Sequence, residues 1–343
     1  MSGSAQGSRL EGLDLYSLVY KATQQIPEGR VSTYGSIARS LGDIVASRAV
    51  GRALNLNPRP VIVPCHRVVG STGELVGFGL GLKKKKDWLK NEGIPFKGDR
   101  IPDLENVLFT EFRVPPALQE MRDAQAEIAE DVDLRPSRAK FRRLAALDVH
   151  YPAAGVHTDR ATGLVEEEAH AGLVVYDLDG EKVTGIYRAS TRVRMPYVPT
   201  YLAFRELPPL RAVLEAADLK DGTVLVFDGN GVLHPMSAGL ASHCGVVLGM
   251  PSIGVAKSQL CGRYDEQELL SKGVSSVQVD GCVRGYAVKA SNRQKKPVFI
   301  SPGHLLGLKD ALRILRPFMR YKVPEPVRWA HGVANGGYGP VTS

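Results

Sequence analysis

The chain has 343 residues, which is long for one domain and comfortable for two domains that each bury a core. Its 44 Lys and Arg residues outnumber 36 Asp and Glu, and the formal charge of +8 favours a polyanionic partner such as nucleic acid. The 4 cysteines form no C-x-x-C pair, and no apolar run is long enough to span a bilayer. These features exclude a zinc-finger framework and an integral membrane protein, and we expect a reduced, cytoplasmic protein.

The first helices predict a nucleic-acid-binding arrangement. Residues 13–26 carry apolar side chains at helical spacing, Thr33 can cap a second helix and Ser47 a third. A short helix followed by a capped, arginine-bearing helix is typical of a helix-turn-helix. Arg48 and Arg52 lie on its second helix. For Arg52, contact with nucleic acid and a solvated helix face both stay open.

A cysteine between a proline and a histidine stands at Pro64-Cys65-His66. The apolar residues 61–63 before it are predicted to form a short buried strand. A free thiol has a pKa of about 8.5, so it needs a basic neighbour before much of it is nucleophilic thiolate at neutral pH. His66 can supply that base. A buried structural cysteine beside a surface basic pair is the alternative.

The motif Pro64-Cys65-His66-Arg67-Val68, within residues 13–96, resembles the active-site domain of the O6-alkylguanine-DNA alkyltransferases. The resemblance implies a single transfer of an alkyl group from an extruded guanine to the protein, without a cofactor. The roles that it implies are alkyl acceptor for Cys65, base acting through a water for His66, and orientation of His66 for Glu92. It further implies that Asn57 braces the active-site turn and that Arg48 is the finger that fills the hole left by the extruded base. Tyr34 would contact a phosphate.

Composition divides the chain into segments. Residues 1–12 are small, polar and glycine-rich and are predicted to be a disordered leader, followed by a mostly helical first domain at residues 13–97. The charged, proline-bracketed residues 98–114 are the expected linker. In residues 115–331, a helix and three strands precede alternating helices and strands, which predicts a mixed sheet flanked by helices and an α/β fold class. The glycine-rich residues 332–343 are expected to be a flexible tail.

Two aspartates stand at costly positions in apolar strands. Asp148 interrupts one strand and Asp228 ends another, and a buried carboxylate is expensive unless it is paired or binds a cation. Glu206 on a helix and His304 at a predicted helix start could face the same point. Oxygen-rich clusters of this type hold Mg²⁺ or Mn²⁺ for phosphodiester hydrolysis. From spacing alone, a metal site and unrelated surface acids both stay open.

Several short motifs in residues 115–321 resemble endonuclease V in its usual order: Met195-Pro196-Tyr197-Val198-Pro199, Phe204-Arg205-Glu206, Val226-Phe227-Asp228-Gly229, Val255-Ala256-Lys257-Ser258 and Ser301-Pro302-Gly303-His304. The resemblance implies an RNase H-like fold and a metal-dependent nick on the 3′ side of a deaminated base, hypoxanthine in particular. The implied metal and catalytic carboxylates are Asp148, Glu206 and Asp228, with His304 completing the site and Lys257 stabilising charge near the scissile phosphate. Tyr197 becomes the wedge that separates the strands, and Gly229 lines the base pocket.

Together the two resemblances predict a bifunctional DNA repair protein that acts as a monomer on alkylated and deaminated DNA, away from membranes. Two alternatives stay open. One is a lesion-binding regulatory protein with an inactive nuclease half. The other is an inosine-directed ribonuclease in the second domain, since the residues do not distinguish RNA from DNA.

Overall fold

The computed structural model describes residues 12–137, 139–291 and 294–337. Nearly all of the expected leader and the end of the expected tail therefore lie outside the described residues. The last helix, Glu325–Ala334, extends into the segment expected to be the tail and buries Val333 and Ala334. No helix in the described ranges is long and apolar enough to cross a membrane.

The first domain consists of short helices around a two-residue parallel ladder. Its helices are α1 (Leu15–Gln24), α2 (Tyr34–Ser40), α3 (Ser47–Asn55) and α4 (Leu82–Asn91), and its ladder pairs β1 (Ser32–Thr33) with β2 (Val68–Val69). Thr33 caps α2 as predicted, because its hydroxyl accepts from the Ser36 N–H at 3.0 Å. Ser47 is the first residue of α3 and not its cap. Asp43 instead caps the short 3₁₀ turn before α3.

The segment before the cysteine is a turn, so the predicted buried strand at residues 61–63 is wrong. Val61 and Ile62 are 64% and 60% exposed, and only Val63 is buried. Prolines at positions 60 and 64 fix the backbone and remove donors on both sides, which leaves no room for a ladder.

The segment expected to be a linker packs on the first domain. Val31 N donates to the Val107 carbonyl at 2.9 Å, and Phe109 N donates to the Val31 carbonyl at 2.7 Å. Ile101 is buried. The backbone of residues 98–114 is therefore an ordered extension of the first domain.

The second domain is built on a nine-stranded mixed sheet in the order β6-β5-β3-β7-β8-β11-β10-β9, with β4 also beside β5. The strands are β3 (Arg143–His150), β4 (Val156–Thr158), β5 (Val165–Asp177), β6 (Lys182–Val193), β7 (Thr223–Asp228), β8 (Ser252–Ala256), β9 (Val274–Val279), β10 (Cys282–Val288) and β11 (Val298–His304). Its helices are α5 (Ala117–Glu130), α6 (Leu202–Glu215), α7 (Leu240–Leu248), α8 (Glu266–Lys272), α9 (Leu308–Leu315) and α10 (Glu325–Ala334).

The centre of this sheet explains where its functional edge lies. Strands β3, β7 and β8 are adjacent and parallel, and the strands that flank them, β5 and β11, pair antiparallel. All three central strands are apolar runs buried on both faces, as parallel strands covered by helices require. Their carboxyl ends meet at one edge of the sheet. The predicted mixed sheet flanked by helices is confirmed.

Candidate active sites

Cys65 begins a 3₁₀ turn (Cys65–Arg67) and is 8% exposed. Asn57 holds this turn, since its Nδ2 donates to the Val63 carbonyl at 3.0 Å and to Cys65 Sγ at 3.3 Å. Burial raises the pKa of the Cys65 thiol, and the Asn57 hydrogen bond and the Lys85 charge oppose this only in part. The thiol is therefore protonated at neutral pH and needs a base to become a nucleophile.

His66 and Arg67 converge on one carboxylate. His66 Nε2 lies 2.8 Å from Glu92 Oε1, and the Arg67 guanidinium donates to both Glu92 oxygens at 2.9 and 3.0 Å. Because a carboxylate accepts hydrogen bonds, neutral His66 carries its proton on Nε2 and keeps a lone pair on Nδ1. Among the described residues, the buried Nδ1 has no hydrogen-bond partner. It is thus available to accept a proton.

The charge state of this pair follows from its surroundings. Burial lowers the pKa of His66, and the bond to Glu92 opposes the shift without reversing it. Burial alone would raise the pKa of Glu92, but hydrogen bonds from Arg67 and His66 lower it. At pH 7 the site therefore holds a neutral imidazole oriented by a carboxylate. No role for Arg67 is predicted from the sequence, because its contact with Glu92 joins positions 25 residues apart.

Aromatic rings and a buried lysine lie beside Cys65 and His66. The rings of His66 and Trp88 pack edge to face at 5.0 Å, and Phe78 lies 5.6 Å from Trp88. Lys85 is wholly buried, and its Nζ donates to the Val76 carbonyl at 2.7 Å. Burial lowers the pKa of Lys85 to about 8. Lys85 thus fixes the loop that carries Phe78.

The remaining residues predicted to contact DNA lie at different depths. Tyr34 is half-buried, and burial together with the Cys65 charge raises its pKa to about 12, so it stays a hydroxyl donor at neutral pH. Arg48 is exposed on α3. Arg52, on the same helix, pairs with Glu167 of the second domain at 3.3 Å. Arg52 thus joins the two domains, while its side chain stays 46% exposed, so a DNA contact and a solvated helix face both remain open for it.

A second site lies at the carboxyl edge of the central strands. Asp148 lies near the end of β3, Asp228 ends the neighbouring β7, and Lys257 follows β8 beside β7. The Lys257 ammonium donates to Asp228 Oδ2. Glu206, on α6, belongs to the same cluster. It lies close enough to both aspartates for their charges to raise the pKa of its carboxyl group. The structure therefore brings these four predicted residues together.

The cluster contains more acidic than basic side chains, and burial and this excess of negative charge shift the pKa values of its carboxyl groups. Burial and the neighbouring Asp228 raise the pKa of Asp148 to about 6, although His331 donates a hydrogen bond to it. Burial raises the pKa of Glu206 well above its ordinary value, and the two aspartates raise it further. Carboxylates that disfavour one another's ionisation are typical of functional sites and of cation sites.

Three carboxylates are the donor set that a hard divalent cation prefers. Within the described ranges, no three or more His, Cys, Asp or Glu side chains are already arranged to hold a metal together. Asp228 instead bonds to Lys257, and Asp148 to His331. The chemistry and the excess negative charge of these residues thus fit a cation. In this structure two basic side chains, Lys257 and His331, are hydrogen-bonded to the aspartates.

His304 does not join this cluster, and the prediction that it completes the site is wrong. In the antiparallel pair of β8 and β11, His304 lies opposite Ser252 at the start of β8. Lys257 follows the other end of β8, so a strand length separates the two residues. His304 Nδ1 instead accepts from the Asp133 N–H at 3.2 Å.

His331 on α10 occupies the place expected for His304. Its Nδ1 lies 2.6 Å from Asp148 Oδ2, and its Nε2 lies 3.0 Å from Asn335 Nδ2. Sequence reasoning missed His331 because α10 reaches β3 only through tertiary packing. The spacing of four residues between His331 and Asn335 was the one local signal, since it places both on one helix face.

A cavity of about 250 Å³ opens beside Asp228 and Lys257. Gly229 and Tyr197 line it, and Tyr197 is 58% exposed at its rim. A Cβ atom at Gly229 would lie 2.9 Å from Leu240 Cδ2, so a larger residue would crowd this wall. The predicted wedge, Tyr197, and the predicted pocket residue, Gly229, thus lie at one cavity next to the acidic cluster.

Two family models match the chain, one in each domain. Endonuclease V matches residues 126–332, and the DNA binding domain of 6-O-methylguanine DNA methyltransferase matches residues 14–94. A bifunctional methyltransferase/endonuclease of Thermoplasma volcanium is 33% identical, over 94% of this chain and 90% of its own length. One of Picrophilus torridus is 32% identical, over 94% of this chain and 96% of its own.

Solved structures resemble the second domain. The catalytic domain of human Endonuclease V is 30% identical with a TM-score of 0.55, covering 64% of this chain and 94% of that chain. Ciona intestinalis Endonuclease V, in complex with a 24mer DNA containing an inosine followed by a ribo-adenosine, is 26% identical with a TM-score of 0.54. It covers 64% of this chain and 96% of that chain. These likenesses confirm the fold predicted for this domain.

Proposed function

The chain belongs to the family of bifunctional methyltransferase/endonucleases, and we propose that it repairs two kinds of damaged base in DNA. The first domain takes a methyl group from O6-methylguanine onto Cys65, and the second nicks DNA on the 3′ side of hypoxanthine. The observation that carries this proposal is the presence of two chemically different sites in one chain. One is a thiol beside an oriented neutral histidine, and the other is a carboxylate cluster beside a base-sized cavity.

In the first site the reaction is a single displacement. His66 Nδ1 takes the Cys65 proton through a bridging water, and Sγ attacks the alkyl carbon. The new S–C bond forms as the C–O6 bond breaks, the electron pair moves to guanine, and His66 passes the proton through the water to guanine. Arg48 fills the space that the extruded nucleotide leaves, and Tyr34 contacts the neighbouring phosphate. Each molecule reacts once, because the thioether is not hydrolysed.

In the second site Asp148, Glu206 and Asp228 hold a divalent cation, Mg²⁺ or Mn²⁺. When bound, the cation supplies Lewis-acid activation of water and stabilises the departing oxygen. Lys257 offsets negative charge beside the scissile phosphate, since its ammonium already faces Asp228. Tyr197 separates the strands at the lesion, and the cavity lined by Gly229 takes the extruded base.

Two assays with the purified protein test the proposal. We expect about one labelled methyl group per protein molecule from O6-methylguanine DNA, with or without chelator. Nicking of hypoxanthine DNA should disappear with chelator and return with Mg²⁺ or Mn²⁺, and Mg²⁺ should raise the melting temperature of the protein. Methyl uptake that needs a metal, or nicking that ignores the chelator, would contradict the assignment.

A ribonuclease is the second candidate for this domain, favoured by the ribo-adenosine in the Ciona complex. A matched RNA strand containing inosine, assayed beside the DNA, distinguishes the two substrates. Faster cleavage of the RNA would replace the DNA assignment.

The methyl-transfer rate should stay high at mildly acidic pH. The reaction needs neutral His66, and burial lowers the pKa of His66 from its ordinary value of 6.5. Loss of the neutral base, and with it the fall in rate, therefore occurs only as pH drops through a value below 6.5. Single-turnover rates measured from about pH 5 to about pH 8 check this. A midpoint at or above 6.5 would mean that the Glu92 charge outweighs burial.

His331 and His304 should differ sharply on substitution. We expect His331→Ala to lower the rate of nicking by about 10–100-fold, the usual cost of losing a partner that orients a catalytic carboxylate. His304→Ala should stay within about twofold, because His304 bonds to Asp133 N at the other end of the sheet. Steady-state nicking of hypoxanthine DNA measures both. Equal effects of the two substitutions would count against the role given to His331.

A further inference from the structure

The wedge loop, residues 195–200, is buried against the first domain except at its tip. Met195 and Val198 are 3% and 1% exposed, and they belong to one hydrophobic core with Leu15 and Val50 of the first domain. Tyr197, between them, is 58% exposed. The loop therefore exposes one aromatic ring, and residues of both domains pack around the rest of the loop.

A buried ion pair ties the start of the loop to the first domain. Arg205 donates to the Met195 carbonyl and, at 3.2 Å, to Glu167. Glu167 in turn accepts from the hydroxyl of Tyr16, in α1, and pairs with Arg52, in α3, at 3.3 Å. Because Glu167 and Arg205 are less than 10% exposed, each depends on its partners, and neither can be released cheaply into solvent.

A second set of contacts holds the end of the loop. Asp43, between α2 and α3, accepts from the Tyr201 hydroxyl at 2.7 Å and from Arg122 at 2.6 Å. Gln125 donates to the Thr200 carbonyl at 2.6 Å. Thr200 has a φ of 70°, a left-handed conformation that is costly for a β-branched residue and persists only where its surroundings enforce it. Asp43 is thus the first-domain residue that helps to fix a strained exit from the loop.

We propose that the first domain is a structural part of the nuclease, with Asp43 and Tyr16 as positioning residues that aim Tyr197 at the duplex. The inference rests on the proposed role of Tyr197 as the wedge. A lesion in a closed duplex must be opened before the base can enter the cavity, whereas a lesion in an open region needs no wedge. Support from the first domain therefore matters for closed duplex DNA alone.

The test compares two substrates with the full-length protein. Hypoxanthine is placed in a closed duplex, or in the same duplex with a non-complementary bubble around the lesion. Asp43→Asn removes the charge that pairs with Arg122 and leaves one acceptor oxygen where the carboxylate has two. Tyr201→Phe removes the hydroxyl that donates to Asp43. We expect kcat/KM for the closed duplex to fall about tenfold in both, as a small misplacement of a positioning group costs, and nicking of the bubble to stay within about twofold.

Matched controls separate this effect from general damage. Asp99→Asn makes the same change at an exposed first-domain ion pair with Lys86 and should leave both substrates unaffected. The double variant Asp43→Asn/Tyr201→Phe should lose no more than the stronger single variant, since the hydroxyl that Tyr201→Phe removes bonds to Asp43 itself. If Asp43→Asn does not fold, Tyr16→Phe is the substitute, because it removes the hydroxyl that donates to Glu167. It should likewise slow nicking of the closed duplex and spare nicking of the bubble.

The results also distinguish this inference from the proposed function. If Tyr197→Ala slows nicking of the duplex while the folded Asp43, Tyr201 and Tyr16 variants do not, the wedge is real and the inference is wrong. Equal losses on duplex and bubble would also overturn it, because they indicate a general structural role. If Tyr197→Ala has no effect on the closed duplex, the wedge function itself fails and the inference fails with it.

Discussion

Cys65→Ala will abolish methyl uptake while nicking of hypoxanthine DNA stays within about twofold of the wild-type rate. The loss should be complete, because the Sγ atom is itself the proposed acceptor. Nicking should survive because alanine removes a small, uncharged, nearly buried group, and the acidic cluster lies on another sheet and helix. Labelled-methyl uptake and nicking, measured on the same preparation, check both halves of the expectation.

Cys282→Ala is the matched control, since Cys282 is also a free thiol and is exposed. It should keep full methyl uptake. Methyl uptake by the Cys65→Ala variant would show that another residue is the acceptor. Loss of nicking from a folded Cys65→Ala variant would show that the two sites do not act independently.

Local sequence carried most of what could be predicted. A few neighbouring residues are enough to predict a reactive cysteine from a proline, cysteine and histidine in succession. The same holds for a functional aspartate at the end of an apolar strand. Asp148 and Asp228 also meet for a topological reason, because adjacent parallel strands end at one edge. The sheet was therefore predictable in kind, and so was the cluster of carboxylates at that edge.

What could not be predicted depends on packing between distant segments. His331 reaches Asp148 only because α10 packs on β3, and Arg52 meets Glu167 only across the domain interface. The sequence order of a motif does not tell which end of an antiparallel strand faces the site, which is why His304 was misplaced. A run of three apolar residues is likewise too short to distinguish a strand from the turn seen at residues 61–63.

Asp228→Asn will lower the rate of nicking by about 100–1000-fold, the scale expected when electrostatic stabilisation of the transition state, here by the proposed cation, is lost. Methyl uptake should be unchanged. Asparagine keeps the shape of the side chain and removes one negative charge from the cluster, so that the proposed cation loses an anionic ligand and Lys257 loses its anionic partner. Single-turnover nicking with Mg²⁺, together with the Mg²⁺-dependent rise in melting temperature, checks both consequences.

The melting temperature without metal distinguishes lost chemistry from lost structure. The Asp228 charge raises the pKa of Asp148 and of Glu206, so removing it relieves repulsion among buried carboxylates. The metal-free Asp228→Asn protein should therefore melt at or above the wild-type temperature while it nicks far more slowly. Asp280→Asn is the control, because Asp280 is an exposed turn residue with a φ of 49°, which asparagine tolerates. A lower melting temperature for Asp228→Asn would mean that Asp228 serves the fold through Lys257 and would remove the argument for a cation at this edge of the sheet.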